Sequence, residues 1–374
     1  MKIKLYAAVA ALVLMPATAA AAAPPSEWSQ TGYGPGNTYY NPDESRLNAQ
    51  TVGGVRQRWT LATHSTSLCE VGVAPVVSGG RLFTSDPGGI GGYDPATGAR
   101  KWHVDLPRTS VRRLAVADGK LLMLSSTCNV GSMFESFLTA YDPGDGARLW
   151  SRGLAKFSYD MRVDRGVVAL DSNQDGLAST IAYRVTDGLR LWLRKGDRGD
   201  GLVSAGGRLL LRRANGGAVA VSIADGRVLW QTKRNWYAAG SSPDGSRFYL
   251  AGNGLSAVDA ATGRVFWTAN WTTGDVTADR RHLYFIRERS VECLDAATGR
   301  KLWSIHLPRA GGRPVRAGGL LYTPNGTGSP LSIADAATGK PRPATAIRSY
   351  QDHPPVVAGG RLFVTDGSEL RAYY

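Results

Sequence analysis

Short runs of alternating apolar and polar residues, broken by Gly-Gly or Asp-Gly, recur along this chain: VVSGGRLFT, VADGKLLML, VSAGGRLLL, VRAGGLLYT and VVAGGRLFV. Period-two alternation around a glycine turn is the pattern of an antiparallel hairpin. After these hairpins comes an eleven-residue unit that reads GYDPATGARKW at 92–102, AYDPGDGARLW at 140–150, AYRVTDGLRLW at 182–192 and AVSIADGRVLW at 220–230. It continues as AVDAATGRVFW at 257–267, CLDAATGRKLW at 293–303 and IADAATGKPRP at 333–343. One strand ends at the aspartate, the glycine (Gly98, Gly263 and Gly299 among the copies) supplies a positive-φ turn position, and a second strand carries the tryptophan. Asp94, Asp142, Asp259, Asp295 and Asp335 are placed to cap that turn through backbone N–H groups. Two hairpins make a unit of four short antiparallel strands, A to D.

Trp59, Trp102, Trp150, Trp192, Trp230, Trp267 and Trp303 stand 36 to 48 residues apart, the period of propeller blades. Their flat faces are expected to pack one blade against the next. The chain ends with strands A, B and C of a blade and no D, whereas VRQRWTLA around Trp59 reads as a D strand lacking A to C. Joining the two leaves no open sheet edge. The expected fold is therefore all-β, an eight-bladed β-propeller of four-stranded antiparallel blades whose last blade is closed by the N-terminal strand. Residues 1–22 read as a signal peptide, 23–54 as an extension leading into the ring, and 55–374 as the ring itself.

The signal peptide reading rests on Lys2 and Lys4, an apolar run from Leu5 to Met15 and small residues offering A-x-A cleavage sites. No later stretch is long and apolar enough to span a bilayer, and no cysteine follows the signal to carry lipid. A secreted, extracytoplasmic monomer is expected. The formal charge is +14, and +12 once Lys2 and Lys4 leave with the acid-free signal, so polyanions outside the cell suit it as partners. Nucleic acid does not, because the basic residues form no block.

The unit A-x-D-x-x-T-G-x-x-x-W resembles the tryptophan-docking repeat of pyrroloquinoline-quinone-type propellers, and EWSQTGYGPGNTYYNP at 27–42 resembles the lead-in of quinoprotein dehydrogenases and their non-enzymatic relatives. The resemblance implies the propeller fold. It leaves function open, because such repeats occur in dehydrogenases, in an outer-membrane assembly lipoprotein and in other exported proteins. The adjacent Cys-Cys pair often found beside the quinone in those enzymes is missing here, as is a C-x-x-C-H haem attachment. The expected role is binding or scaffolding of an envelope or extracellular polysaccharide, peptide or protein. The alternative is a minimal quinone (PQQ)-dependent oxidoreductase or a carbohydrate-active enzyme using the central funnel.

In a propeller the D-to-A and B-to-C connections share one face. The residues entering each A strand there are Glu70, Arg112, Arg113, Tyr159, Asp160, Asp200, Tyr237, Asp275, Arg313, Asp352 and His353, a mixed-charge ring suited to a polar ligand. The early blades carry extra loop on that face, around Cys69, around Cys128 and at 171–179, which points to blades 1–3 as the recognition surface. A disulfide between Cys69 and Cys128 is expected, and Cys293, in a slot that alanine fills in other copies, reads as a packing thiol. Asp171, Asn173 and Asp175 open a D-x-N-x-D-G sequence, the start of a calcium loop, but position twelve is Ala182, not glutamate. The other reading is a plain turn. No histidine pair has metal spacing, no G-x-S-x-G elbow is present, and no catalytic residue is assigned.

Overall fold

The structure, a computed structural model, describes residues 26–63, 73–127, 135–154, 158–174, 177–199, 201–271, 273–326, 328–343, 347–350 and 352–374. Eight four-stranded sheets form from them and follow one another around an axis. Blades 1 to 6 take their strands in sequence, from 76–105, 109–154, 161–195, 197–232, 237–269 and 277–306. Apolar side chains of neighbouring blades fill the spaces between sheets, as Ala115, Leu122 and Leu138 of blade 2 do against Met161, Val163 and Val168 of blade 3.

Blade 8 is composite, as the chain ends predict. Strand β2 (Gln57–Ala62) pairs antiparallel with Glu369–Tyr373, which continues through Arg361–Thr365 to Val356–Ala358. Blade 7 obtains its fourth strand differently. Strand β1 (Tyr40–Asn41) joins Val315–Ala317 in parallel at the inner edge, while the outer position after the turn is reduced to a bridge between Ala334 and Pro341. Proline has no N–H to give an outer strand, and the IADAATGKPRP copy lacks the tryptophan there.

The tryptophans connect the blades by one repeated contact. Each indole N–H donates to a carbonyl in the C-to-D turn of the next blade: Trp59 to Pro95, Trp102 to Pro143, Trp150 to Val185, Trp192 to Ile223, Trp230 to Ala260, Trp267 to Ala296 and Trp303 to Ala337, at 2.8 to 3.3 Å. The turn glycine of that next blade lies against the indole face. At Gly226, φ is +69° and a Cβ would stand 2.8 Å from the Trp192 ring. Asp94 caps its turn by accepting the N–H groups of Ala96 and Thr97 at 2.7 and 3.2 Å, and the first of these holds its carboxyl below the ordinary value.

Residues 26–41 run around the inside of the ring and meet the A strands in order. Trp28 exchanges backbone hydrogen bonds with Val77 of blade 1, and the Ser29 carbonyl accepts from Val116 of blade 2. The Gln30 side chain gives to and takes from the Val163 backbone of blade 3. The carbonyls of Pro35, Gly36, Thr38 and Tyr39 accept from Ser204, Ser241, Ala278 and Arg316 of blades 4 to 7. Asn41 Nδ2 completes the circuit at the Val357 carbonyl of blade 8, 2.8 Å away. The chain then leaves between blades 7 and 8, where Leu47, Val52 and Val55 bury against Val315, Tyr322 and Phe363.

At Asp171 and Asn173, where the sequence offered the start of a calcium loop or a plain turn, the backbone is strand. Val167–Gln174 and Leu177–Arg184 are paired strands, with Gln174 opposite Leu177, so Asp171 lies inside a ladder. Its Oδ1 accepts the N–H groups of Tyr159 and Asp160 at 2.8 and 2.6 Å. Asp175 lies outside the described residues, as do Cys69 and Cys128. Cys293 is a buried free thiol whose pKa burial pushes upward.

Two outcomes test these contacts. Trp192→Phe removes the hydrogen bond to Ile223 and shrinks the ring, and is expected to cost about 2–3 kcal/mol in chemical denaturation. Gly226→Ala forces both a positive φ and a steric overlap and is expected to cost at least about 2 kcal/mol, whereas Gly274→Ala, which faces open space, changes stability by less than about 1 kcal/mol. A third test uses pH. Burial raises the Asp171 pKa from 3.8 to about 6, so the folded protein holds that proton more tightly than the unfolded chain. Stability from this group is therefore lost as pH rises from about 4 to 6, by up to about 3 kcal/mol. Asp171→Asn keeps the acceptor and removes the charge. Its stability relative to the unmodified chain should rise through that window, and a constant difference between pH 4 and 7 would sink the assignment.

Candidate functional site

The lead-in contacts the A strands close to their A-to-B turns. Ser78 Oγ and Gly79 N–H, at the turn of blade 1, both bond Glu27, and Gly359 N–H of blade 8 donates to Ser26. Residues 28–39 therefore floor the axial channel, and a funnel opens toward the D-to-A and B-to-C face. A cavity of about 270 Å³ lies in it between blades 1, 2 and 8, with Trp28, Thr31, Gly32 and Tyr39 beneath and Arg112, Arg113, Asp352 and His353 on the walls.

Two arginines hang the floor from the wall. Arg162 projects from Met161–Asp164, the A strand of blade 3, and is 1% exposed. Its Nε donates to the Leu202 carbonyl at 2.7 Å, and Nη1 donates to Thr31 and Gly34 at 2.6 and 3.3 Å. Burial pulls its pKa down while Asp160 opposes that shift. Arg313, entering the A strand of blade 7, donates to the carbonyls of Asn37, Ala239 and Val276, pairs with Asp275 at 3.1 Å and lies 4.1 Å over the Tyr39 ring. An arginine fork is suited to several carbonyls at once.

Of the residues anticipated for the funnel, the structure brings together Arg112, Arg113, Asp160, Arg313, Asp275 and His353. Arg113 pairs with Asp160 at 3.1 Å, and Asp160 also accepts the N–H groups of Met161 and Leu202. Arg112 sits at the register shift between Val111 and Arg113 in Thr109–Ala117, and desolvation lowers its pKa. His353 is half-buried, which pulls its pKa down against Asp352 and Asp366. Tyr237 enters the A strand of blade 5, its hydroxyl donating to the Thr273 carbonyl at 3.3 Å. Glu70 and Asp200 lie outside the described residues. Asn173 occupies a strand position opposite Ala178.

Sequence reasoning did not single out Arg162, Trp28 or Tyr39. The available signal was a charge inside the otherwise apolar start of a strand, Met161-Arg162-Val163, since a buried arginine must find acceptors. The tyrosine and tryptophan belong to the lead-in, whose path across the ring is fixed only by long-range pairing.

Among known proteins, a family profile described as outer membrane protein assembly factor BamB matches residues 48–152, 86–241, 135–282, 251–310 and 287–373, overlapping segments that together cover nearly the whole ring. A search of curated proteins found no match. The crystal structure of BamB from Moraxella catarrhalis is 17% identical, with a TM-score of 0.65 over 85% of this chain and 97% of that one. Quinohemoprotein alcohol dehydrogenase from Comamonas testosteroni is 13% identical, with a TM-score of 0.68 over 93% of this chain and 80% of that one. The computationally designed protein Ika8 is 15% identical, with a TM-score of 0.62 over 84% of this chain and 99% of that one. At such identities the structural likeness establishes the fold, and the repeats themselves establish kinship: the chain belongs to the PQQ-like β-propeller repeat family, the family described by BamB.

Proposed function

We propose that this chain is an extracytoplasmic binding and scaffold propeller that recognises a polysaccharide, peptide or protein through the D-to-A and B-to-C face of blades 1–3. The observation that carries the reading is the floored funnel. The lead-in closes the channel from below, so a ligand group entering from that face is held in a cavity of about 270 Å³ beside Arg112 and Arg113. Arginines at a concave site select carboxylate or other oxyanion groups through forked hydrogen bonds. The net positive charge favours approach of an acidic partner over distances within the Debye length.

Export through a cleaved signal peptide belongs to the same proposal, which takes its support from the first 22 residues. No helix among the described residues is long and apolar enough to cross a membrane.

A quinone-dependent oxidoreductase is the second reading, favoured by the fold likeness to the alcohol dehydrogenase. The funnel residues fit that cofactor only in part. Its carboxylates would find Arg112 and Arg113, but among the described residues no three His, Cys, Asp or Glu side chains converge to hold the calcium ion that would accompany it.

The test is calorimetric titration of the purified protein with a hexaglutamate peptide, beside an Arg112→Gln/Arg113→Gln variant checked for an unchanged melting transition. Binding weakened about tenfold or more, with the salt dependence reduced, is the expected outcome. Equal affinity in both proteins removes the funnel as the binding site. Saturable stabilisation by quinone with Ca²⁺, together with dye reduction, would replace the binding reading with the enzymatic one.

A further inference from the structure

The opposite face carries a second recess that no part of the funnel uses. Between blades 5 and 6, beside the A-to-B turns, a cavity of about 620 Å³ is lined by Arg247, Arg280, Arg281, His282, Asp244 and Asp295, among others. It runs on into a smaller cavity of about 240 Å³ that reaches Arg165 of blade 3. Tyr40, Pro42 and Pro243 line both, so an apolar lip stands where the two meet. The combined trough is of a size that takes organic ligands, not a single ion.

The charges in it are of two kinds. Arg280 and Arg281 are exposed, and neither guanidinium has an ion pair or hydrogen bond to another described residue. Arg165 is likewise exposed and unpaired at the far end. Arg247 is committed in part, donating to the Ala296 carbonyl at 3.2 Å and lying 4.7 Å over Phe266. His282 is oriented by Asp279, 3.2 Å from Nδ1. The acids are turn caps: Asp244 takes the hydroxyls of Ser242 and Ser246, and Asp295 Oδ1 takes Ala297, Thr298 and the Thr298 hydroxyl. Each retains lone pairs that can accept further donors.

The geometry points to a carboxylated oligosaccharide, a uronic-acid oligomer, as the ligand of this trough. Free arginines at both ends suit carboxylates spaced along an oligosaccharide. The lip of Tyr40, Pro42 and Pro243 matches the C–H faces of those rings. Asp244 and Asp295 match their hydroxyl donors, and the same two carboxylates would repel a dense polyanion such as polyphosphate.

The experiment is calorimetric titration of the purified protein at low salt with trigalacturonate, maltotriose and tripolyphosphate. Trigalacturonate is expected to bind saturably at one site. Arg280→Gln/Arg281→Gln should weaken it about tenfold or more, whereas Arg148→Gln/Arg190→Gln, the same charge loss at exposed positions on the outer strands of blades 2 and 3, should change it less than about twofold. Maltotriose, lacking the carboxylates, should bind at least about tenfold more weakly. Equal weakening by both arginine pairs, tripolyphosphate binding as tightly with the same dependence on Arg280 and Arg281, or absence of saturation would each overturn the assignment. The Arg280→Gln/Arg281→Gln variant should keep its affinity for hexaglutamate within about twofold, which separates failure of this site from failure of the funnel.

Discussion

An indole laid against a glycine turn, with its N–H on a carbonyl of the same turn, is the contact on which this ring depends. From Trp59 against Pro95 and Gly98 to Trp303 against Ala337 and Gly339, seven of the junctions between successive blades use it. The contact combines a large buried apolar face with one directed hydrogen bond, so it fixes both the spacing and the angle between neighbouring sheets. Glycine is required because a side chain at that turn would occupy the space of the ring. The junction between blades 7 and 8 has no tryptophan, and there the chain fills the gap with Leu47, Val52 and Val55 instead.

At that exception the lead-in leaves the channel. Inner strands of a propeller present backbone N–H and C=O groups to the axis, and these need partners. Residues 26–41 supply partners blade by blade, in ring order, and two arginines secure the path. Burying Arg162 costs desolvation free energy that three carbonyl acceptors offset in part, with Asp160 contributing charge nearby. The consequence is polarity along the axis. One end of the channel is closed by peptide, the other opens as a funnel, and the closed face is left with the inter-blade recesses.

The hairpins, the docking tryptophans and the composite eighth blade were legible because each depends on residues close in sequence or on the two chain ends. Blade 7 departed from the pattern where its copy reads KPRP, and the sequence already marked that position by its prolines. The funnel was legible in part: Arg112, Arg113, Asp160, Asp275, Arg313 and His353 do gather around the axis, since they flank successive A strands. Arg162 escaped because its apolar neighbours hint only at burial, while the carbonyls that receive it, those of Leu202, Thr31 and Gly34, are distant in sequence. Asp171 escaped for a related reason. Its D-x-N-x-D-G context describes a loop, but pairing of Val167–Gln174 with Leu177–Arg184 makes it strand, and the carboxylate then caps a connection from the preceding blade.

By itself the sequence determined the repeat, its strand order and the number of blades, because alternation, turn glycines and tryptophan spacing are read along the chain. The tertiary structure decided what lies on the axis. The route of the lead-in, the commitment of Arg162 and Arg313 to its carbonyls, and the freedom of Arg280 and Arg281 at a recess between blades 5 and 6 all depend on contacts between residues far apart in sequence. Whether a charged side chain is spent on the fold or left for a ligand is set by which acceptors close packing brings to it. Sequence spacing carries no record of that.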